Sequence, residues 1–290
     1  MFSKAYEIAS QFTSPVIIST KTVDNTVQCG GGAFVYVNNE GWIITVAHIF
    51  NARQKLVNDS GLLADYNHKI EEIKNNSQLN PHTKKKKIER LKKDPKWLTN
   101  DSYWWGKNGV NLADAKIFPE IDLAIGRLDP FLPESGKVYP KIKNPYELKP
   151  GTSVCKLGYP FHQINATFSD QTGAFQLAPD ALPVPVFPIE GILTRFLLGG
   201  KTKDGKYDIK YIETSSPGLM GQSGGPIFDT TATIWGIQCR TTSLPLGFSP
   251  KITKNGKEIE ENQFINVGIG VHPEVIVNIL TDNGIKFELG

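Results

Sequence analysis

The chain of 290 residues has only three cysteines, Cys29, Cys155 and Cys239. They are odd in number, far apart, and never spaced as C-x-x-C, which argues against a disulfide framework and for a reducing compartment, the cytoplasm. The histidines His68, His82, His162 and His272 do not sit with cysteines or carboxylates at ligand spacing, so no metal is expected, and no cofactor either. Long hydrophobic runs are also missing. None approaches the roughly 20 residues of a membrane helix. The opening "MFSKAYEIASQFTSPVIIST" breaks any apolar core with Glu7, Gln11 and serines, so neither a membrane partner nor a secretion signal is expected. A net charge of +3 is too small to argue for nucleic acid. There is no internal repeat and no low-complexity tract.

Turn formers are plentiful: 27 glycines and 19 prolines lean the chain toward β structure. Ala33–Val37 and Trp42–Val46 flank Asn38-Asn39-Glu40-Gly41 and read as a hairpin, with "SPVIIST" as a strand before it. From about 53 to 98 the character changes. Ile70 and Ile73, and Ile88 and Leu91, stand three apart among charged helix formers, which predicts a helical insertion. Between residues 80 and 100, eight Lys or Arg face two Asp or Glu. A solvated helix face accounts for this excess; nucleic-acid binding through Lys84–Lys87 is the alternative, testable by salt-dependent retention on heparin. After residue 115 short strands return, bounded by Gly, Pro, Asp and Asn. The proline-rich 177–188 reads as a surface loop, "KTKDGK" as a turn, and Pro273 to Asn283-Gly284 as a closing helix.

Three stretches carry chemistry. "TVAHIF" places His48 just after a strand. "EIDLAIGRL" places Asp122 at the head of an apolar strand, where a carboxylate has no packing role. "GQSGGP" places Ser223 in a turn whose glycines let the N–H groups of Gly221 and Ser223 converge on one spot. A serine hydroxyl needs a base, the base needs an orienting group, and the developing oxyanion needs donors; all are present. Each piece alone has a plain reading: a hydrogen-bonded structural histidine, a turn cap, a small-residue turn.

With these residues in this order, the sequence resembles the chymotrypsin-like serine peptidases, in particular their HtrA branch. "GGGAFVYVNNEGWIITVAHIF" resembles the hairpin leading to the catalytic histidine, and "IDLAIGRL" the aspartate strand. "PGTSVCKLGYPF" resembles the first strand of the second barrel, "YIETSSPGLMGQSGGPIFD" the serine loop, and "NVGIGVHPEVIVNIL" the last strand and closing helix. The resemblance runs from about residue 14 to 281 and implies an all-β fold. Two six-stranded antiparallel β-barrels are expected, 1–140 with the helical insertion and 141–290 with the C-terminal helix, forming one peptidase unit. It implies His48, Asp122 and Ser223 as the triad and the Gly221 and Ser223 amides as the oxyanion hole. The insertion and the long 163–188 loop depart from the branch, and its usual peptide-binding PDZ domain has no counterpart here.

The resemblance also places the substrate pocket. Pro217, Gly218, Leu219 and Met220, preceded by Ser216, form one wall, with Cys239, Arg240 and Thr241 opposite. Neither wall carries Asp or Glu, so cleavage after small or medium apolar residues is expected. Arg240 could favour an acidic residue at a neighbouring subsite; a solvent-facing arginine is its plain reading. Cys239 reads plainly as a small buried hydrophobe. Gln222 stands where digestive relatives carry an Asp that pairs with a newly cut amino terminus. Being uncharged, it implies activity without such processing. Control by an activating protein partner is expected instead, with the insertion as its seat. The function expected is an endopeptidase acting on protein or peptide substrates; the alternative is a catalytically silent binding module.

Overall fold

A computed structural model describes residues 1–254 and 256–290. The chain opens with a helix that the sequence reading did not call, α1 (Ser3–Phe12), whose Ala5, Ala9 and Phe12 are buried. The first barrel follows as β1 (Thr13–Thr22), β2 (Val27–Tyr36) and β3 (Trp42–Thr45). Next come the helices α2 (Asn51–Asn75) and α3 (Pro81–Arg90), then β4 (Leu98–Trp105), β5 (Asn111–Phe118) and β6 (Leu123–Asp129). The sheet order is β4-β1-β2-β3-β6-β5, and β4 and β5 approach each other at the open edges. The β2–β3 hairpin pairs Val35 with Ile44 and Tyr36 with Ile43. Its loop turns at Gly41, whose φ of +86° suits glycine, while the Asn38 side chain accepts the Glu40 N–H at 2.9 Å.

The second half contains β7 (Lys141–Ile142), β8 (Ser153–Gly158), β9 (Ala166–Ser169), β10 (Ala174–Leu177), β11 (Phe187–Lys201) and β12 (Asp208–Thr214). It continues with β13 (Pro226–Phe228), β14 (Ile234–Pro245), β15 (Lys251–Lys254), β16 (Lys257–Glu260), β17 (Phe264–Val271), α4 (Pro273–Asp282) and β18 (Glu288–Leu289). Six strands close into a ring, β13-β8-β11-β12-β17-β14, because β13 pairs with both β8 and β14. The short β7 and β18 extend this sheet beyond six strands, and the β9–β10 hairpin lies within the long 163–188 segment. Helix α4 buries Val275, Ile276, Ile279 and Leu280, and His272 Nδ1 caps it by accepting the Glu274 N–H. Burial lowers the His272 pKa to about 4, so the ring is neutral at neutral pH and free to accept. Among the described residues, no helix is long and apolar enough to cross a membrane.

Helix α2 begins one residue after the His48 turn, so the insertion is rooted at the site itself. Tyr103 on β4 ties the root down: its Oη donates to the Ile49 carbonyl at 3.1 Å and accepts the Arg53 N–H at 3.2 Å. One helical face then docks on β4 through buried Asp59, which accepts the Leu98 N–H at 2.7 Å and pairs with Lys55. The lysines Lys85, Lys86 and Lys87 lie on exposed positions of α3. Removing the Asp59 acceptor strands a buried N–H, which typically costs about 1–3 kcal/mol. Asp59→Ala should therefore open the insertion to limited proteolysis at low protease concentration, whereas Asp59→Asn, which can still accept, should resist like the parent chain. Equal resistance of all three would remove Asp59 as the docking bond.

Candidate active site

His48 and Asp122, the expected base and its partner, come from the first barrel. His48 lies in a single turn of 3-10 helix, Ala47–Phe50, that ends β3. Asp122 precedes β6, the strand paired with β3, so the two residues meet across one ladder. The Asp122 carboxylate grips His48 twice. Its oxygens lie 2.9 and 3.0 Å from the ring Nδ1, and Oδ1 also accepts the His48 backbone N–H at 3.0 Å. This fixes the ring and leaves Nε2 as the acceptor on the far side. Asp122 holds φ at +60°, a left-handed conformation costly for most side chains but tolerated by aspartate. Cys239 lies beside it. Burial, reinforced by the Asp122 charge, pushes the thiol up to about 12, and Sγ–H donates to the Ile269 carbonyl at 3.2 Å.

Ser223, the expected nucleophile, comes from the second half. The Ser223 loop is pinned on three sides. Its carbonyl accepts the Ala33 N–H of β2 at 2.7 Å. The Gly221 carbonyl accepts the Tyr159 N–H, just past β8, at 2.9 Å. On β14, Gly224 N–H donates to the Gln238 carbonyl while Gln238 N–H donates to the Gly225 carbonyl. The approach leaves no room for side chains: a Cβ on Gly224 would lie 2.0 Å from the Ala33 carbonyl oxygen, and one on Gly225 equally close to that of Leu157. The same crowding shows how near Ser223 is to the His48 turn. A Cβ on Gly32 would lie 3.0 Å from the Ser223 carbonyl oxygen and 2.5 Å from the side chain of Ile49, the neighbour of His48.

Among the described residues, neither the Gly221 nor the Ser223 N–H has a protein acceptor, and no hydrogen bond joins Ser223 Oγ to the His48 ring. Gly221 has φ +96°, and a side chain there would strike the Tyr159 carbonyl. Gln222 is fully buried. Its Oε1 accepts the Leu219 N–H at 2.9 Å and its Nε2 donates to the Phe187 carbonyl at 3.4 Å. The amide thus braces the Ser223 loop from within by neutral hydrogen bonds.

The pocket segments named from sequence lie side by side. Thr241 Oγ1 donates to the Gly218 carbonyl at 2.5 Å, while Met220 is 91% exposed at the rim. Arg240 is exposed and its guanidinium stacks 4.5 Å from the Tyr211 ring centroid. Two residues at this site escaped the sequence reading. Gln238 presses its side-chain amide against Gly218, where a Cβ would lie 2.1 Å from Nε2. Lys156, on β8, is fully buried, and its Nζ donates to Thr214 Oγ1 (3.0 Å) and to the carbonyls of Ser216 (2.5 Å) and Pro217 (2.9 Å). Their only available signals were a glutamine in "GIQCRTT" and a lysine interrupting the apolar strand "SVCKLG".

The family model described as the trypsin-like peptidase domain matches residues 31–237. No curated protein matches the chain significantly in sequence. Among solved structures, a variant of the HtrA-type protease AlgW with tripeptide is 12% identical at a TM-score of 0.47, over 97% of this chain and 63% of that one. The HtrA-type protease AlgW with tripeptide is 14% identical at 0.45, over 98% and 64%. The Rv3671c protease from M. tuberculosis, active form, is 13% identical at 0.47, over 98% and 86%. The chain thus spans less than two thirds of the length of these AlgW chains.

Gln222→Ala deletes the brace and leaves the Leu219 N–H unpaired, at a cost of about 1–3 kcal/mol. Peptide turnover should fall by about tenfold or more through a loosened oxyanion loop, while Gln222→Glu, which keeps the acceptor, should recover part of it. Unchanged turnover in Gln222→Ala would show that the loop holds its shape without the side chain.

Proposed function

The chain belongs to the trypsin-like peptidase family, and from that premise we propose that it is a serine endopeptidase working through His48, Asp122 and Ser223. The observation that carries the reading is the double grip of Asp122 on His48, together with a serine loop whose Gly221 and Ser223 amides have no protein acceptor among the described residues. His48 Nε2 takes the proton of Ser223 Oγ as Oγ attacks the peptide carbonyl. The carbonyl oxygen becomes an oxyanion and accepts from the N–H groups of Gly221 and Ser223. The imidazolium, stabilised by Asp122 through Nδ1–H, then protonates the leaving amine, and water hydrolyses the acyl-enzyme by the reverse sequence. Substrate completes the Ser223–His48 alignment, as catalytic hydrogen bonds in free enzymes are commonly loose.

Two finer points belong to this reading. The loop brace from Gln222 is internal, which supports activity without amino-terminal cleavage; control falls instead to a partner engaging the insertion, whose root is bonded to the His48 turn through Tyr103. All three cysteines are free thiols, which fits the proposed reducing, cytoplasmic setting.

Ser223→Ala should lose fluorophosphonate labelling and reduce peptide hydrolysis by on the order of 10⁴-fold, with an unchanged unfolding midpoint. Retained proteolysis in that variant would end the proposal. Met1 is 93% exposed, so a short tag fused ahead of it should leave labelling intact; an enzyme silent until the tag is removed would contradict the internal brace.

A further inference from the structure

Lys156 is the least expected residue of the second barrel. Its side chain is fully buried, and among the described residues it joins no ion pair. Its three N–H donors are satisfied by one hydroxyl and two carbonyls, all neutral. A buried cation without a counter-ion is costly, and an apolar side chain of similar volume would fill the same space at lower cost. The fold has made room for the ammonium all the same: a Cβ on Gly268 of β17 would lie 2.5 Å from Nζ.

The location gives the charge a use. Thr241 binds the Gly218 carbonyl, and the same strand, β14, is bonded through Gln238 to both Gly224 and Gly225. Ser216–Met220 and Gln238–Thr241 therefore run side by side next to the Ser223 loop, bridged by the Thr241–Gly218 bond and by the buried Gln238 amide, and in the peptidase reading this is where the acyl side of a substrate lies. Lys156 sits directly behind its wall, holding the Ser216 and Pro217 carbonyls. Because a trans peptide sets C=O and N–H in opposite directions, the Gly218 N–H points away from the ammonium, and among the described residues it has no acceptor. Carbonyl oxygens thus face the cation, and a donor faces away from it.

Building on the peptidase reading above, we propose that Lys156 sets specificity at this position by attracting an acidic side chain, so that the enzyme cleaves after Glu or Asp. This replaces the apolar preference expected from the wall segments alone. A carboxylate that displaces the Gln238 amide from Gly218 supplies the counter-charge that the fold withholds, and the interaction is strengthened by the low local dielectric. An incoming Lys or Arg meets a like charge. Lys156 is a specificity residue that acts through the pocket wall and takes no part in bond cleavage.

Burial lowers the Lys156 pKa to about 7, opposed weakly by the neighbouring Cys155 thiol. The groups packed around it are otherwise uncharged: Ile189 of β11, Thr214 of β12, Ile227 of β13 and Gly268 of β17. Of the nearby carboxylates, Glu213 is bonded to Arg195 and Thr194, and Glu190 stands opposite Cys155 in the β8–β11 register. The ammonium is therefore charged below neutrality and loses its proton as pH rises through about 7. A substrate glutamate is already ionised over that range.

The test uses the full chain and quenched peptides that differ only in the residue before the cut: Glu, Gln or Leu. Cut sites are read by mass spectrometry. At pH 6 the kcat/KM for Glu should exceed that for Gln by roughly tenfold or more, and this ratio should fall between pH 6 and 8.5. Taking the ratio cancels the ionisation of His48, which affects both peptides alike. In Lys156→Met the ratio should drop to about one, with Leu cleavage kept within about threefold. A residue that merely braced the wall would lower all three peptides together. Should the Met variant fail to fold, the pH dependence of the wild-type ratio decides. A wild-type ratio near one at pH 6, or a Glu preference surviving in Lys156→Met, overturns the inference while fluorophosphonate labelling of Ser223 leaves the peptidase reading standing. An enzyme that neither labels nor cuts any of the peptides overturns both.

Discussion

The carbonyl of Ser223 accepts the Ala33 N–H at 2.7 Å, and the geometry of the site depends on that bond. It joins a strand of the first barrel to the Ser223 loop of the second, so His48 and Ser223 are held by different sheets yet kept in one register. The bond demands contact between bare backbones. Gly32, Gly224 and Gly225 supply it, since each would collide with a neighbour if it carried even one more carbon. Glycines lose more entropy on folding than other residues. That cost is offset by the reciprocal bonds between the loop and β14, which make the loop an extension of the sheet rather than a free turn.

Two buried polar side chains next to this loop do opposite things. Gln222 is neutral and has an acceptor and a donor to match, so it stabilises the loop without carrying charge inward. Lys156 brings in a charge and is given only dipoles. Keeping it protonated at neutral pH costs on the order of 5 kcal/mol relative to a solvated lysine. That is a large share of the stability of an ordinary domain. Burial lowers the pKa of Lys137 too, but Lys156 is the one placed behind the Ser216 and Pro217 carbonyls, next to the Ser223 loop.

The fold class was legible because strand periodicity and turn residues alternate on a short pitch from residue 115 onward, and because the hairpin before His48 carries its own Gly41 turn. His48, Asp122 and Ser223 could be singled out because each stands in a distinctive local frame, His48 ending a strand, Asp122 heading one and Ser223 among glycines, and the structure brings the first two into contact. What was hidden is non-local. Helix α1 has only ten residues and depends for its stability on burying Ala5, Ala9 and Phe12, which no local pattern reveals. Lys156 lies some 60 residues before the carbonyls it binds, so reading the pocket from its two walls missed what stands behind them. Gln222 was read for the charge it lacks, while the structure shows the bonds it makes. The cap role of His272 was also beyond reach, because it depends on a ring being buried and therefore neutral.

Cys239 shows how the site keeps its carboxylate free. Asp122 must offer its oxygens to His48, so any neighbour that competed for them would weaken the grip. A serine or a charged group next to Asp122 could donate to it. Cys239 instead turns its thiol to the Ile269 carbonyl, and burial holds that thiol protonated up to about 12. Below that pH it presents no second negative charge to Asp122 and makes no hydrogen bond to it. Both carboxylate oxygens therefore stay with His48, one on the ring alone and the other shared between the ring and the backbone N–H. The left-handed backbone of Asp122 is tolerable on the same account: three contacts to a single residue offset the strain of one dihedral angle.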